Sequence, residues 1–314
     1  MNNRFAGDFG RRQIVRYSKK VDCMKFLETL LNGLSAGSTY AMIALGYTMV
    51  YGIAKMLNFA HGDVIMVGGY TLFVASTMMG MHPLLALLLA VVLCALIGMT
   101  IEKLAYKPLR GASPLAVLIT AIGMSKLLQS LAQIVFGSAT KPVDLMDLSS
   151  VAIGNLNIST YTLITLLCSS VIMVALSLFV KYTRTGRAMI AVSEDKSAAQ
   201  LMGINVNFII TITFAIGSAL AAFAGFFMVL KTFNVEPSMG AMPGIKAFTA
   251  AVIGGIGSIP GAMLGGILMG VVEAFAQTSP VMAPYTDAIE FSILILILLV
   301  RPSGILGKKR REKV

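Results

Sequence analysis

The sequence predicts an all-α polytopic membrane protein with about eight long apolar segments and ten membrane elements once broken or re-entrant helices are counted. Three observations carry this expectation. Of 314 residues, 57% are hydrophobic and 12% charged, and the mean hydropathy is +0.84, whereas soluble domains carry about 25% charged residues. Apolar runs recur along nearly the whole chain, and ~20 such residues let a helix cross a ~30 Å hydrocarbon core. The runs are continuous and rich in Leu, Ala, Ile, Met and Gly, not the short alternating strands of a β-barrel.

In chain order, residues 1–25 form a basic amino tail containing Arg4, Arg11, Arg12, Arg16, Lys19, Lys20 and Lys25. Apolar runs follow at 27–53, 57–80, 83–101, 114–136, 160–180, 207–230, 245–276 and 286–300. Residues 26–300 therefore make one transmembrane domain, with an interior polar loop at 182–206 and a second basic tail at 301–314. Short basic flanks resist translocation, so both tails are expected in the cytoplasm, with anionic lipid as their partner rather than nucleic acid. The same rule puts the loops bearing Lys103, Lys107 and Arg110, and Lys181, Arg184, Arg187 and Lys196, on the cytoplasmic side.

That orientation does not close with the runs as counted. Each half of the chain needs one more crossing or a re-entrant half-helix. The sequence offers a break in each half, at Gly52–Asn58 and at Gly254–Gly261, the second containing Pro260. Gly and Pro interrupt helices, and an interruption survives at membrane depth only where protein or a watery cavity satisfies the backbone. Breaks in both halves of a transporter commonly mark its translocation path. The residues expected to line that path are Asn58, His61 and Asp63 at the first break, Gly254, Gly255 and Gly257 at the second, and Glu273 deep in the seventh run. A competing account makes Asn58, His61 and Asp63 the polar start of a helix.

Lys126, Gln129 and Gln133 share one helical face by spacing, either lining a channel or packing between helices with Lys126 snorkelling outward. Glu290, near the start of the last run, is a further candidate for a proton or a neighbouring partner. In the 182–206 loop, Ser193 reads as an N-cap, Glu194 and Asp195 suit the first turn, and Gly203 suits the end of a short helix. Such a helix, projecting from a bundle, is a knob for a partner's groove.

The composition also excludes. Cys23, Cys94 and Cys168 are widely separated and form no disulfide framework, and two histidines without paired cysteines make no zinc site. No Gly-x-x-x-x-Gly-Lys-[Ser/Thr] loop occurs, so nucleotide hydrolysis by that route is not expected of this chain. The chain is expected to be no enzyme and to bind no cofactor.

Five stretches together resemble the LivH-type permeases of branched-chain amino acid ABC importers. They are Asn32-Gly33-Leu34 with Gly37-Ser38-Thr39-Tyr40-Ala41 and Ala44-Leu45-Gly46; Asn58-Phe59-Ala60-His61-Gly62-Asp63; Thr185-Gly186-Arg187-Ala188 with Gly203-Ile204; Gly254-Gly255-Ile256-Gly257-Ser258 with Gly261-Ala262; and Arg301-Pro302-Ser303-Gly304. The resemblance covers nearly the whole chain from about residue 27. It implies a bacterial inner-membrane subunit that passes leucine, isoleucine and valine. Its implied partners are a second related permease, two cytoplasmic ATPase subunits that use ATP, and a periplasmic or lipid-anchored binding protein. It also implies that 182–206 is the coupling loop, with Arg184, Gly186, Arg187, Glu194, Asp195 and Gly203 at or near the ATPase contact. Related permeases that carry urea, amides or other amino acids leave the substrate open to those classes. The alternative from another class is an ion-coupled carrier or channel for a small polar solute, built on His61, Asp63, Glu273 and Lys126. Two features depart from the family: a long basic amino tail, and Lys126 where a small or apolar residue is expected.

Overall fold

The computed structural model describes residues 3–146, 150–153 and 156–307, with the side chains of 3–23 and 151–157 outside the description. The basic side chains of the two tails up to Lys20, and from Lys308 onward, therefore lie outside the described residues.

The chain is mostly helical, and among the described residues six helices are long and apolar enough to cross a membrane. In order, α1 is Asn3–Ala54, and α2 is His61–Leu72, continued by a π-helical turn at Phe73–Met78. Next come α3 (Pro83–Ile101), prolonged through Leu109, and α4 (Pro114–Phe136). Three short strands follow, β1 (Lys141–Pro142), β2 (Ser150–Ile153) and β3 (Leu156–Ser159), and then α5 (Thr160–Tyr182). The interior loop holds α6 (Arg184–Glu194) and α7 (Lys196–Leu201). The second half comprises α8 (Val206–Thr232), β4 (Asn234–Val235), α9 (Ala241–Gly254), α10 (Ile259–Thr278) and α11 (Thr286–Val300).

Caps explain most of the boundaries. Ser113, Asn205 and Ser258 each accept a backbone N–H at the start of α4, α8 and α10, and Pro opens α3, α4 and α10 within the first turn. Gly255 stops α9 at φ +106, a conformation that favours glycine. The strands pair as two antiparallel ribbons, β1 with β4 and β2 with β3. Neither ribbon is foreshadowed by a period in the sequence.

The core is α1 packed antiparallel on α10, with α8 and α9 beside them. Gly33 and Gly37 lie against the backbone of α10 at Val271 and Ile267, and Gly266 lies against Ala41. Small residues let the two backbones touch, which is how helices gain packing energy where lipid supplies no hydrophobic drive. The direction is fixed at both ends: Thr29 Oγ1 is 3.4 Å from Thr278 Oγ1, while Gly52 approaches Gly257.

Both breaks exist. The second divides the run 245–276 into α9 and α10. The first separates α1 from α2, two runs already counted apart, so it adds no crossing to the first half of the chain. After Ala54 the chain does not continue outward. Lys55 takes a left-handed φ of +61, and the segment returns until His61 lies beside Gly46. Gly46 is about 12 Å back along α1 at 1.5 Å per residue. Helix α2 therefore begins well inside the bundle. So does α9, because Gly240 at its start lies against Gly62.

Candidate functional site

The two half-helices meet N-terminus to N-terminus. A methyl group on Gly240 would collide with the carbonyl oxygen of Gly62, and Gly244 packs on the same backbone. Each helix N-terminus carries the positive end of its dipole. Their meeting point is thus a polar centre inside an apolar bundle, where a charged group costs ~3 kcal/mol or more unless it is paired.

Asn58, His61 and Asp63 are brought together here, and all are buried. They do not cap α2, whose first residue is preceded by Ala60 with no side-chain cap. The Tyr106 hydroxyl donates to Asn58 Oδ1 at 3.0 Å, tying the break to α3's extension. His61 packs edge-on to Tyr47 with ring centroids 4.7 Å apart. Its Nε2 fits against Gly46, where any side chain would collide, and has no hydrogen-bond partner among the described residues. Asp63 Oδ1 accepts from Gln129 Nε2 at 2.7 Å, and Gln129 Oε1 accepts from the Lys126 ammonium at 3.0 Å. Lys126 therefore does not snorkel to the interface. Gln129 is partly buried against α2, while Lys126 and Gln133 remain exposed on the same side of α4, as their spacing predicts.

Glu273 lies apart from this centre, in a cluster that the sequence showed only in fragments. Lys246 on α9 is 2.9 Å from Glu273 Oε1, 2.9 Å from Asp287 Oδ1 and 3.3 Å from Glu290 Oε2. Lys246 and Asp287 were missed, although Lys246 is the one lysine inside the run 245–276. Three carboxylates around one ammonium link α9, α10 and α11. Gln277 Nε2 also donates to Glu273 Oε1 at 3.3 Å, and Gln277 joins Asn32, Thr162 and Lys231 around a cavity of about 370 Å³ at the Thr29 end of α1.

Gly254, Gly255 and Gly257 lie at the opposite end, beside the interior loop. A cavity there is lined by Gly52 and Ile53 of the first break, Gly257 and Ile259 of the second, and Met189, Ile190 and Ser193 of α6. One helix thus borders a cavity that both breaks share. Gly186 lets α6 sit on the end of α5, since a Cβ would strike the Phe179 and Val180 carbonyls.

The loop itself differs from expectation in one respect. It holds two short helices, and Ser193 caps neither; it lies inside α6 and donates to Ile190 O at 2.7 Å. Thr183 caps α6, accepting from Gly186 N at 2.9 Å, and Asp195 caps α7, accepting from Ser197 N and Ala198 N at 2.8 and 3.0 Å. The misassignment arose because Ser193, Glu194 and Asp195 are all plausible at a helix start, and only the chain reversal between α6 and α7 selects Asp195. Gly203 ends α7 at φ +82, as expected.

Arg184, Arg187, Glu194 and Asp195 all face outward. So do Leu201 and Met202, at 88% and 83% exposure, which the sequence reading overlooked. Lys196 points inward and donates to Ala54 O at 2.8 Å. Burial, and then Arg110, hold its pKa below the ordinary lysine value.

Residues 29–298 match the family described as branched-chain amino acid transport system / permease component. The chain is 45% identical over 302 residues to the high-affinity branched-chain amino acid transport system permease protein BraD of Pseudomonas aeruginosa, covering 92% of this chain and 98% of the relative. It is 43% identical, with the same coverage, to the permease protein LivH of the corresponding system in Escherichia coli. Among solved structures, PsaBC from Streptococcus pneumoniae in complex with Fab shares the fold at TM-score 0.50 and 16% identity, covering 91% of this chain and 97% of that one.

Proposed function

The chain belongs to the branched-chain amino acid transport system permease family, and from that premise we propose that it is the membrane-spanning subunit of an ATP-driven importer for leucine, isoleucine and valine. It is a multi-pass protein of the bacterial inner membrane and performs transport, not bond-making chemistry. The observation that carries the mechanism is the single cavity bounded by both helix breaks and by α6. A displacement of α6 would be felt where α1 leads into the first break and where α10 follows the second, so a partner that moves α6 biases two arrangements of the segments that hold the half-helices.

Partner ATPases would engage the outward side of α6 and α7, at Arg184, Arg187, Glu194 and Asp195, with Leu201 and Met202 as an apolar tip. Support for this comes from the exposure of those residues beside a capped, projecting helix pair. Gly186 and Gly203 serve the loop's shape. ATP is used by these partners; a second permease and a binding protein complete the system. The path would run past the Gly62–Gly240 junction, where Asn58, His61 and Asp63 stand, and Gly254, Gly255 and Gly257 would form its inner hinge.

The finer topology follows from taking α6 and α7 as cytoplasmic. We count nine membrane elements, α1 to α5 and α8 to α11, with α2 and α9 as half-helices. Ala54 is then cytoplasmic by its contact with Lys196, and the antiparallel run of α1 on α10 supports a periplasmic Thr29 and a cytoplasmic Arg301. This departs from the expectation of ten elements with both tails inside, because the first break adds no crossing.

An ion-coupled carrier would draw on His61, Asp63, Glu273 and Lys126, and of these Glu273 already pairs with Lys246 and Asp63 already accepts from Gln129. The coupling assignment is tested by Glu194→Lys together with Asp195→Asn, the latter retaining the α7 cap. Loss of co-purifying ATPase with a folded permease is expected; unchanged association and uptake would remove the loop from the mechanism.

A further inference from the structure

Lys126 lies near the middle of α4, which spans Pro114–Phe136, so its Cα is about 15 Å or more from either helix end at 1.5 Å per residue. Its side chain is exposed on the surface of this chain. The ammonium is not extended towards either end; it is folded onto Gln129, one turn on, at 3.0 Å. Gln129 is itself oriented by Asp63 of α2, which takes its amide N–H at 2.7 Å. The buried carboxylate thus turns the amide so that its oxygen faces the lysine. An ammonium has three N–H donors and no acceptor, and Gln129 takes one of them.

The same surface continues in polar residues. Ser130 and Gln133 follow at spacings of four and three, both exposed, on one face of α4. Lipid is a poor neighbour for a mid-depth ammonium followed by a hydroxyl and an amide. Through Gln129 this face is linked to Asp63 in the first turn of α2, at the half-helix junction.

We propose that Lys126 is a station on the translocation path, where its ammonium binds the α-carboxylate of the passing amino acid. The proposal rests on the importer reading and adds to it a named residue and the substrate group it meets. An anion is the strongest partner for the remaining donors, and the α-carboxylate is the one anionic group that leucine, isoleucine and valine share. The contact is single and lies on the outer surface of the chain, which suits a ligand that must leave again. Asp63, held behind Gln129, keeps the ammonium in place without occupying its outward donors.

The test uses the full complex of both permeases, ATPases and binding protein in proteoliposomes. Lys126→Met is expected to lower leucine uptake about tenfold while all partners still co-purify, and Lys126→Arg to retain at least half. In a variant lacking Cys23, Cys94 and Cys168, Lys126→Cys is expected to react with a membrane-impermeant methanethiosulfonate reagent, and leucine during turnover is expected to slow the reaction. Normal uptake by Lys126→Met, or an unreactive Lys126→Cys, would overturn the proposal. Release of the second permease by Lys126→Met would assign the lysine to a subunit contact and overturn it equally. A wild-type complex that moves no leucine would instead remove the importer reading, and the proposal with it.

Discussion

The ammonium of Lys196 donates to the carbonyl oxygen of Ala54 at 2.8 Å, joining the first residue of α7 to the last residue of α1 across the loop boundary. The last carbonyls of a helix have no partner inside it, so this contact satisfies one of them and ties the loop to the first break. Lys196→Met should loosen that tie by ~1.5–3 kcal/mol, the usual range for a hydrogen bond to a charged group. Leucine uptake per ATP hydrolysed is expected to fall several-fold, with Lys196→Arg keeping most of it. Equal uptake per ATP in the two variants would show that the contact transmits nothing.

Close backbone contact at the junction makes a sharp pair of substitutions. Gly240→Ala places a methyl group into the Gly62 carbonyl, and forced overpacking of this kind costs ~1–3 kcal/mol or more. Gly123→Ala on α4 meets nothing within 4 Å and gains up to about 1 kcal/mol of helix propensity. Thermal unfolding of the purified complex should show a lowered Tm for the first and an equal or raised Tm for the second.

Removing the cation at the centre of the acidic cluster should be worse than removing cation and anion together. Lys246→Met strands Glu273, Asp287 and Glu290 without their shared partner, and breaking a buried pair costs ~3–5 kcal/mol. Lys246→Met with Glu290→Gln should recover part of that loss. Additive damage in the double variant, read by the same unfolding measurement, would deny the coupling.

Glu102 is the corresponding anchor where the extension of α3 meets the start of α8. Its side chain is 1% exposed; one oxygen pairs with Arg110, and the other accepts from Thr211 Oγ1 at 2.8 Å. Glu102→Ala is expected to cost up to ~3–5 kcal/mol by taking the carboxylate from Arg110, which keeps only its bond to Asn207. Glu102→Gln should cost less, because an amide oxygen still accepts a hydrogen bond.

Much of the fold was legible because lipid imposes a simple rule on sequence. The runs 83–101 and 114–136 coincide with α3 and α4, and 286–300 with α11. Gly254–Gly261 broke where glycine and proline required. What the sequence concealed were relationships across distance. The Lys246 cluster draws on three helices, and no local pattern joins residue 246 to 273, 287 and 290. Asn58, His61 and Asp63 were recognised as a group, but their partners Tyr106, Tyr47 and Gln129 come from α3's extension, α1 and α4. The ribbons, 141–142 with 234–235 and 150–153 with 156–159, lacked a period long enough to read. The direction of α1 was hidden for another reason: the positive-inside rule weighs charge and does not see that α1 must run antiparallel to α10.

The central claim is that this chain passes branched-chain amino acids under the control of ATP-using partners. Uptake of radiolabelled leucine should be measured in proteoliposomes holding the permease with its candidate second permease, ATPases and binding protein, with ATP inside the compartment that faces α6 and α7, in the presence and absence of an ionophore. Uptake that requires every partner and ATP, and persists when ion gradients are collapsed, is the predicted result. Uptake by the permease alone that the ionophore abolishes would contradict the account and make Glu273 and its neighbours the coupling site of an ion-driven carrier.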